Sequence, residues 1–235
     1  MRSEDHGETW SEAEELVPGD AGGRGPVRCK PIVLSDGTWL AGASTEMGRW
    51  LPFADRSEDR GQTWERSEDF ALDDEGLRGR GAIQPTLWES APGHVHALLR
   101  SQGGKVWRSD SEDYGKTWSP VRETDLPNNN SGVDVAQLPG NRLLLVYNPV
   151  DRNWGTRTPL DLAASTDNGE TWVPVAHLED NPVASSEFSY PAIVVTDDGV
   201  AITYTWNRQR VRAWQIPMAL ADTFFAADGD ESETR

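Results

Sequence analysis

Arg100 and Arg157 are the residues of this chain whose types point most directly to recognition chemistry. A planar guanidinium pairs with a carboxylate through two parallel hydrogen bonds. Lys30 adds a further cation, Gln84 and Asn130 add amides, Asp134 and Glu187 add carboxylates, and Tyr190 adds a phenol. Around them the chain is acidic: 22 Lys+Arg against 39 Asp+Glu give a formal charge of −17. A nucleic-acid binder needs a basic patch, so no nucleic-acid partner is expected. In so acidic a chain an arginine can equally pair with a nearby acid, and Asp161 and Glu89 are such neighbours. His94 and His96 alternate along one segment and face one side, but no third ligand stands at a telling position, so no metal is expected. The run Asn128-Asn129-Asn130-Ser131 can bind sugar hydroxyls or cap a structural unit, and it holds a glycosylation sequon at Asn129. No phosphate loop, dinucleotide fingerprint or nucleophile elbow is present, and no cofactor is expected.

The elements that position these residues are legible from a repeat. The pattern S-x-D-x-G-x-T-W occurs four times, at 3–10, 57–64, 111–118 and 165–172, each step being 54 residues. Its chemistry is that of a hairpin turn. The Asp accepts hydrogen bonds from its own turn and the Gly supplies positive φ. Thr and Trp then enter a strand, where β-branched and aromatic residues fit the pleat. Four equally spaced aspartates are read as structural, since one active site does not need four copies. Between the boxes an X-Pro step opens a strand at Lys30-Pro31, Gln84-Pro85 and Tyr190-Pro191, with a fourth such strand near Val133. Second strands are expected at 38–43, 94–100, 142–147 and 200–206, and third strands at 51–56, 105–109 and 159–164. Four antiparallel strands in about 50 residues make one propeller blade. The chain is therefore read as all-β, an incomplete β-propeller over 1–216 with about four blades plus a partial one. The polar stretch 67–80 reads as a linker and 217–235 as a loose acidic tail.

First strands line the channel of a propeller and begin at one rim. That reading gathers Lys30, Gln84, Asn130, Asp134 and Tyr190 around one pocket, with Arg100 and Arg157 reaching it from neighbouring strands. A polar pocket with local positive charge suits an anionic sugar or glycan. An open arc of blades also exposes strand edges, so self-association through them is expected. No apolar run reaches the ~20 residues of a membrane span, so no membrane partner is expected. Cys29 stands alone, which excludes an internal disulfide. The residues after Met1 form no apolar signal segment; a cytoplasmic chain is the default unless preceding residues are missing.

The S-x-D-x-G-x-T-W unit resembles the Asp-box, or BNR repeat, of sialidases. The segments Lys30–Trp39, Gln84–Trp88, Asn128–Asp134, Ser189–Ile193 and Thr205–Arg208 are similar to those of sialidase-like BNR-repeat proteins. The resemblance implies a six-bladed propeller of which this chain lacks the first blade and most of the second. It also implies a glycoside hydrolase acting on a terminal anionic sugar, in which arginines hold the carboxylate and a Tyr assisted by a Glu is the nucleophile. Arg100 and Arg157 match two of the arginine positions and Tyr190 the nucleophile. The assisting Glu is expected near the start of the strand leading to Arg100, where Gln84 stands instead; Glu187 is the substitute candidate. The remaining Arg and the acid/base Asp are assigned to the absent first blade. A propeller that binds carbohydrate or a protein without catalysis is the alternative.

Overall fold

A computed structural model describes residues 1–20, 28–72, 81–181, 183 and 185–226. Its strands form four antiparallel sheets, each built from consecutive strands. Blade I comprises β1 (Ile32–Val33), β2 (Trp39–Thr45), β3 (Leu51–Ser57) and β4 (Glu65–Arg66). Blade II comprises β5 (Ala82–Ala91), β6 (His94–Ser101), β7 (Lys105–Ser111) and β8 (Arg122–Pro127). Blade III comprises β9 (Asp134–Leu138), β10 (Arg142–Tyr147), β11 (Leu160–Ser165) and β12 (Val173–Glu179). Blade IV has β13 (Phe188–Thr196), β14 (Gly199–Trp206) and β15 (Arg210–Pro217), followed by a short helix, α1 (Met218–Thr223). No helix among the described residues is long and apolar enough to cross a membrane.

Three apolar cores lie between successive blades. Leu40 and Ala54 meet Leu87 and Trp107 in the first. Trp88 and Leu98 meet Val133, Leu143 and Leu145 in the second. Leu144, Val146 and Leu162 meet Ile193, Ile202 and Tyr204 in the third. Side chains alternate across a strand, so neighbouring leucines of β10 serve different cores, and an inner strand reads as a continuous apolar run. Blades I and II approach so closely that a Cβ on Gly42 would lie 2.3 Å from the Pro85 carbonyl oxygen.

The second, third and fourth boxes turn third strands into fourth strands, as their composition implies. In the second box, the Ser57 hydroxyl donates to Asp59 Oδ1 at 2.8 Å and accepts from the Gly61 amide at 2.7 Å. Asp59 also accepts from the Thr63 amide at 2.8 Å and its hydroxyl at 2.6 Å. The Trp64 indole closes the loop on the Gly61 carbonyl at 3.2 Å. The other three boxes repeat the Asp–Thr and Trp–Gly bonds. Each aspartate is fully used by its own turn, which is the structural role expected of it.

Two sequence expectations change. The stretch beginning at 67 is more than a linker: Phe70 is buried in the first core and stacks on Trp118 with ring centroids 4.3 Å apart. One aromatic in a polar run carries no periodicity, so the sequence pattern hides it. Residues 73–80 of that stretch lie outside the described residues. The segment from 217 begins not as a loose tail but as α1, whose Ala221 is buried in the third core. Arg142 ties it down by pairing with Asp222 at 2.8 Å. The acidic residues 227–235 lie outside the described residues.

Candidate functional site

The site forms where first strands begin, and the chain there is bent by two bulges. β5 shifts register between Ile83 and Thr86, and β13 between Ser189 and Ala192. Gln84 and Tyr190 occupy these bulges with φ of 58° and 52°. Each precedes a proline, whose missing N–H suits a bulge because no ladder partner is lost. Positive φ is costly for residues other than glycine and collects where function holds it in place. Besides the four box turns and the β9–β10 turn at Asn141, it occurs at Gln84, Asn130, Trp154, Tyr190, Asn207 and Arg208, the loops and strand starts around the channel mouth.

Three blades bring their groups to Tyr190. Arg157, from the β10–β11 loop of blade III, places its guanidinium 5.0 Å from the phenol ring centre. Arg100, at the end of β6 in blade II, is buried and donates to Asn130 Oδ1 at 2.8 Å. Burial pushes the Tyr190 phenol up, but Arg157 and then Arg100 outweigh it and hold the hydroxyl below its ordinary value. Burial likewise lowers Arg100, against a pull upward from Tyr190. The phenol is thus charge-coupled to both arginines. Glu187 pairs with Arg157 at 2.9 Å and with Arg208 at 2.8 Å, and accepts from the Ser189 hydroxyl at 2.9 Å. Burial raises its carboxyl, but Arg208, Ser189 and Arg157 together hold it below the ordinary value. Its carboxylate thus faces Arg157 and Arg208.

The remaining expected residues divide. Gln84 Oε1 faces Arg100 Nη1 at the hydrogen-bond limit of 3.5 Å. Asn130 is buried and spans from Arg100 to Asn153, to which it donates at 3.0 Å. Its side-chain oxygen thus orients Arg100. Lys30 and Asp134 pair with each other at 3.1 Å, and Lys30 also donates to the Val135 carbonyl at 2.6 Å. Asp134 also accepts from Thr86 at 2.6 Å and from the Ile193 amide at 2.9 Å, so it pins blades I, II and IV to blade III. A buried carboxylate needs that full set of donors. Asn129 is buried too and donates to the Thr156 carbonyl at 2.6 Å, which braces the loop. Among the described residues neither Asp161 nor Glu89 takes an arginine: they bind His177 and Ser35.

Two residues of the site were not picked out from sequence. Arg28 lies 5.8 Å from the Tyr190 ring centre and donates to the carbonyls of Val133 (2.8 Å) and Pro191. Its path requires Gly132, where a Cβ would come within 2.7 Å of the guanidinium carbon. Trp50 lies 5.5 Å beneath Arg100. Neither residue belongs to a motif; both act through packing across blades. Among the described residues no cluster of three or more His, Cys, Asp or Glu could hold a metal.

No curated protein sequence matches the chain. Among solved structures it is similar to a Hadza microbial sialidase, at TM-score 0.62 and 21% identity, covering 78% of this chain and 36% of that one. It is similar to the NanB sialidase of Streptococcus pneumoniae at TM-score 0.56 and 20% identity, covering 74% and 26%. A protein of unknown function from Dyadobacter fermentans matches at TM-score 0.61 and 20% identity, covering 76% and 49%. The chain thus spans a quarter to a half of the length of these proteins. Those likenesses identify the sialidase-type propeller as the fold. Residues 1–203 match the family model described as a BNR repeat-like domain, and the chain, with its four box-closed turns, belongs to that family.

Proposed function

We propose that the channel mouth binds the carboxylate of an anionic sugar and that Tyr190 is the nucleophile of a sialidase-like glycoside hydrolase. The observation that carries this reading is the placement of Arg157 and Arg100, from two blades, against the phenol of a third. The guanidiniums offer forked donors to a carboxylate. A neutral phenol approaches an anionic sugar without the repulsion that a carboxylate nucleophile meets. In the reaction the Tyr190 oxygen bonds to the anomeric carbon as the glycosidic C–O bond breaks; the phenol proton passes through solvent to the leaving oxygen, and water then gives its hydroxide to the anomeric carbon and its proton back to Tyr190. Neighbouring guanidinium charge eases loss of the phenol proton as the new bond forms. Glu187 holds Arg157 and Arg208 in place. A uronate presents the same carboxylate and belongs to the same substrate class.

A second reading, a propeller that binds the sugar without cleaving it, is favoured by Gln84. An amide stands where the family resemblance places a carboxylate, and Glu187 is committed to arginines. One experiment addresses both. N-acetylneuraminate and glucuronate are titrated into the chain by calorimetry, and a fluorogenic sialoside is assayed beside them. Binding that weakens at least tenfold in Arg157→Ala and persists in Tyr190→Phe supports the anionic-sugar site. Turnover lost in Tyr190→Phe supports the hydrolase; binding without turnover supports the second reading. Binding of neither acid, or binding indifferent to Arg157→Ala, refutes both.

A further inference from the structure

The three blades that carry a box are internal controls for one another, and blade II breaks their rule on its second core. Val95 pairs with Ser111 as Trp39 pairs with Ser57 and Leu143 with Ser165, each serine being the first residue of a box. The next position along the second strand is Leu40 in blade I and Leu144 in blade III, both buried in apolar cores. In blade II it is His96, buried and opposite Asp110. A buried polar group against a repeating apolar pattern is costly, and such departures mark functional sites.

The hydrogen bonds around His96 favour one tautomer. The Trp88 indole, a donor only, bonds to Asn168 Oδ1 at 2.8 Å. The other end of that amide, Nδ2, therefore faces His96 Nε2, 3.1 Å away. Nε2 must then be the unprotonated nitrogen. Nδ1 carries the proton and donates to Asp110 Oδ1 at 2.6 Å. The shorter contact to a charged carboxylate outweighs Arg108 Nη2, a donor 3.1 Å from the same Nδ1, while Arg108 Nε donates to the same Asp110 oxygen at 2.8 Å. The Ser90 hydroxyl sits 2.7 Å from Nε2, where it donates. Ser90, His96 and Asp110 thus stand in the relation of nucleophile, base and orienting acid.

We propose that Ser90, His96 and Asp110 form an acyl-transfer site for small esters at the seam of blades II and III, separate from the channel mouth. Ser90 Oγ attacks the ester carbonyl carbon while its proton passes to His96 Nε2. The imidazolium is stabilised by Asp110, and Asn168 Nδ2, which meets the same ring nitrogen as the hydroxyl, supplies an amide donor beside the oxyanion. The C–O bond to the alcohol breaks, the alcohol leaves with the proton from Nε2, and water attacks the acyl-serine by the same route. Ser90 is half-buried and the Asp110 side chain is 30% exposed, so the seam opens to solvent.

The test uses the whole chain with a fluorophosphonate probe and p-nitrophenyl acetate. Labelling of one serine, located by peptide mass at Ser90, and a nitrophenol burst of one per chain are expected. Both disappear in Ser90→Ala and persist in Ser11→Ala, an exposed serine outside the cluster. His96→Gln slows labelling by about 100-fold or more, the share a general base contributes. Ser90→Ala removes one oxygen from a half-buried site, so its circular dichroism should match the parent. No labelling at Ser90, or ester hydrolysis unchanged in Ser90→Ala, overturns the proposal and leaves the cluster as a polar clasp between blades.

Discussion

Tyr190 takes its character from charges that two other blades carry to it. Because Arg157 and Arg100 hold its hydroxyl below the ordinary value, the folded state favours the phenolate. The stability this contributes is complete above the unfolded phenol value of about 10 and is lost as pH falls through the lower folded value. Arg157→Gln should therefore move the Tyr190 absorbance titration to higher pH. A bound carboxylate, by neutralising the same guanidiniums, should move it the same way. A titration indifferent to both would show that the arginines do not act on the phenol. The box aspartates obey the same logic at lower pH. The Thr63 hydroxyl and amide, with Ser57, lower Asp59 from 3.8 to about 2. Its contribution is present above the unfolded value and lost as pH falls through the folded one. The melting temperature of Asp59→Asn should accordingly fall less than that of the parent between about pH 4 and 2. Parallel profiles for the two proteins would refute this.

At the scale of elements, strands and boxes were legible because four copies can be aligned on one another. The second and third strands lie within a residue or two of where the repeat places them, and Arg142–Tyr147 lies where it was expected. The partners of buried polar groups were not legible, because partner choice is made across blades. Lys30 reaches Asp134 over 104 positions of sequence, and Arg28 reaches the Pro191 carbonyl over 163. No local pattern records such pairings. Arg100, Arg157 and Tyr190 came together as their stations in the blades imply, whereas Lys30 and Asp134 satisfied each other. Phe70 is the apolar counterpart of these cross-blade contacts. Phe70→Ala removes a buried ring stacked on Trp118 and should cost about 3–5 kcal/mol in urea unfolding. A cost below about 1 kcal/mol would show that the segment only rests on the core. Gly42→Ala forces a Cβ against the Pro85 carbonyl and should cost about 1–3 kcal/mol, measured the same way. An unchanged unfolding midpoint would show that blades I and II shift apart without loss.

The whole molecule is a row of sheets joined by three shared cores, so its stability is a sum over blades and seams. Blade II sits between two such cores, whereas blade IV shares one with blade III. On blade IV the outermost strand, β15, is exposed at every position but Ile216. Local opening draws on regions with few buried apolar contacts. Hydrogen exchange should therefore be fastest, among the second and outer strands, in β15 and slowest in β6 and β10. Equal protection of β15 and β10 would mean that the row opens as one unit.

The paired bulges have a consequence for how such a protein changes over generations. Gln84 and Tyr190 occupy the same backbone station in two blades, held at φ of 58° and 52° ahead of a proline. The station presents an amide in one blade and a phenol in the other, while the strands below keep their pairing. The repeat thus separates inheritance of shape from inheritance of chemistry. A single codon change at a station alters what the channel displays and leaves the cores intact, so lineages can exchange reactive groups without first solving the folding problem again.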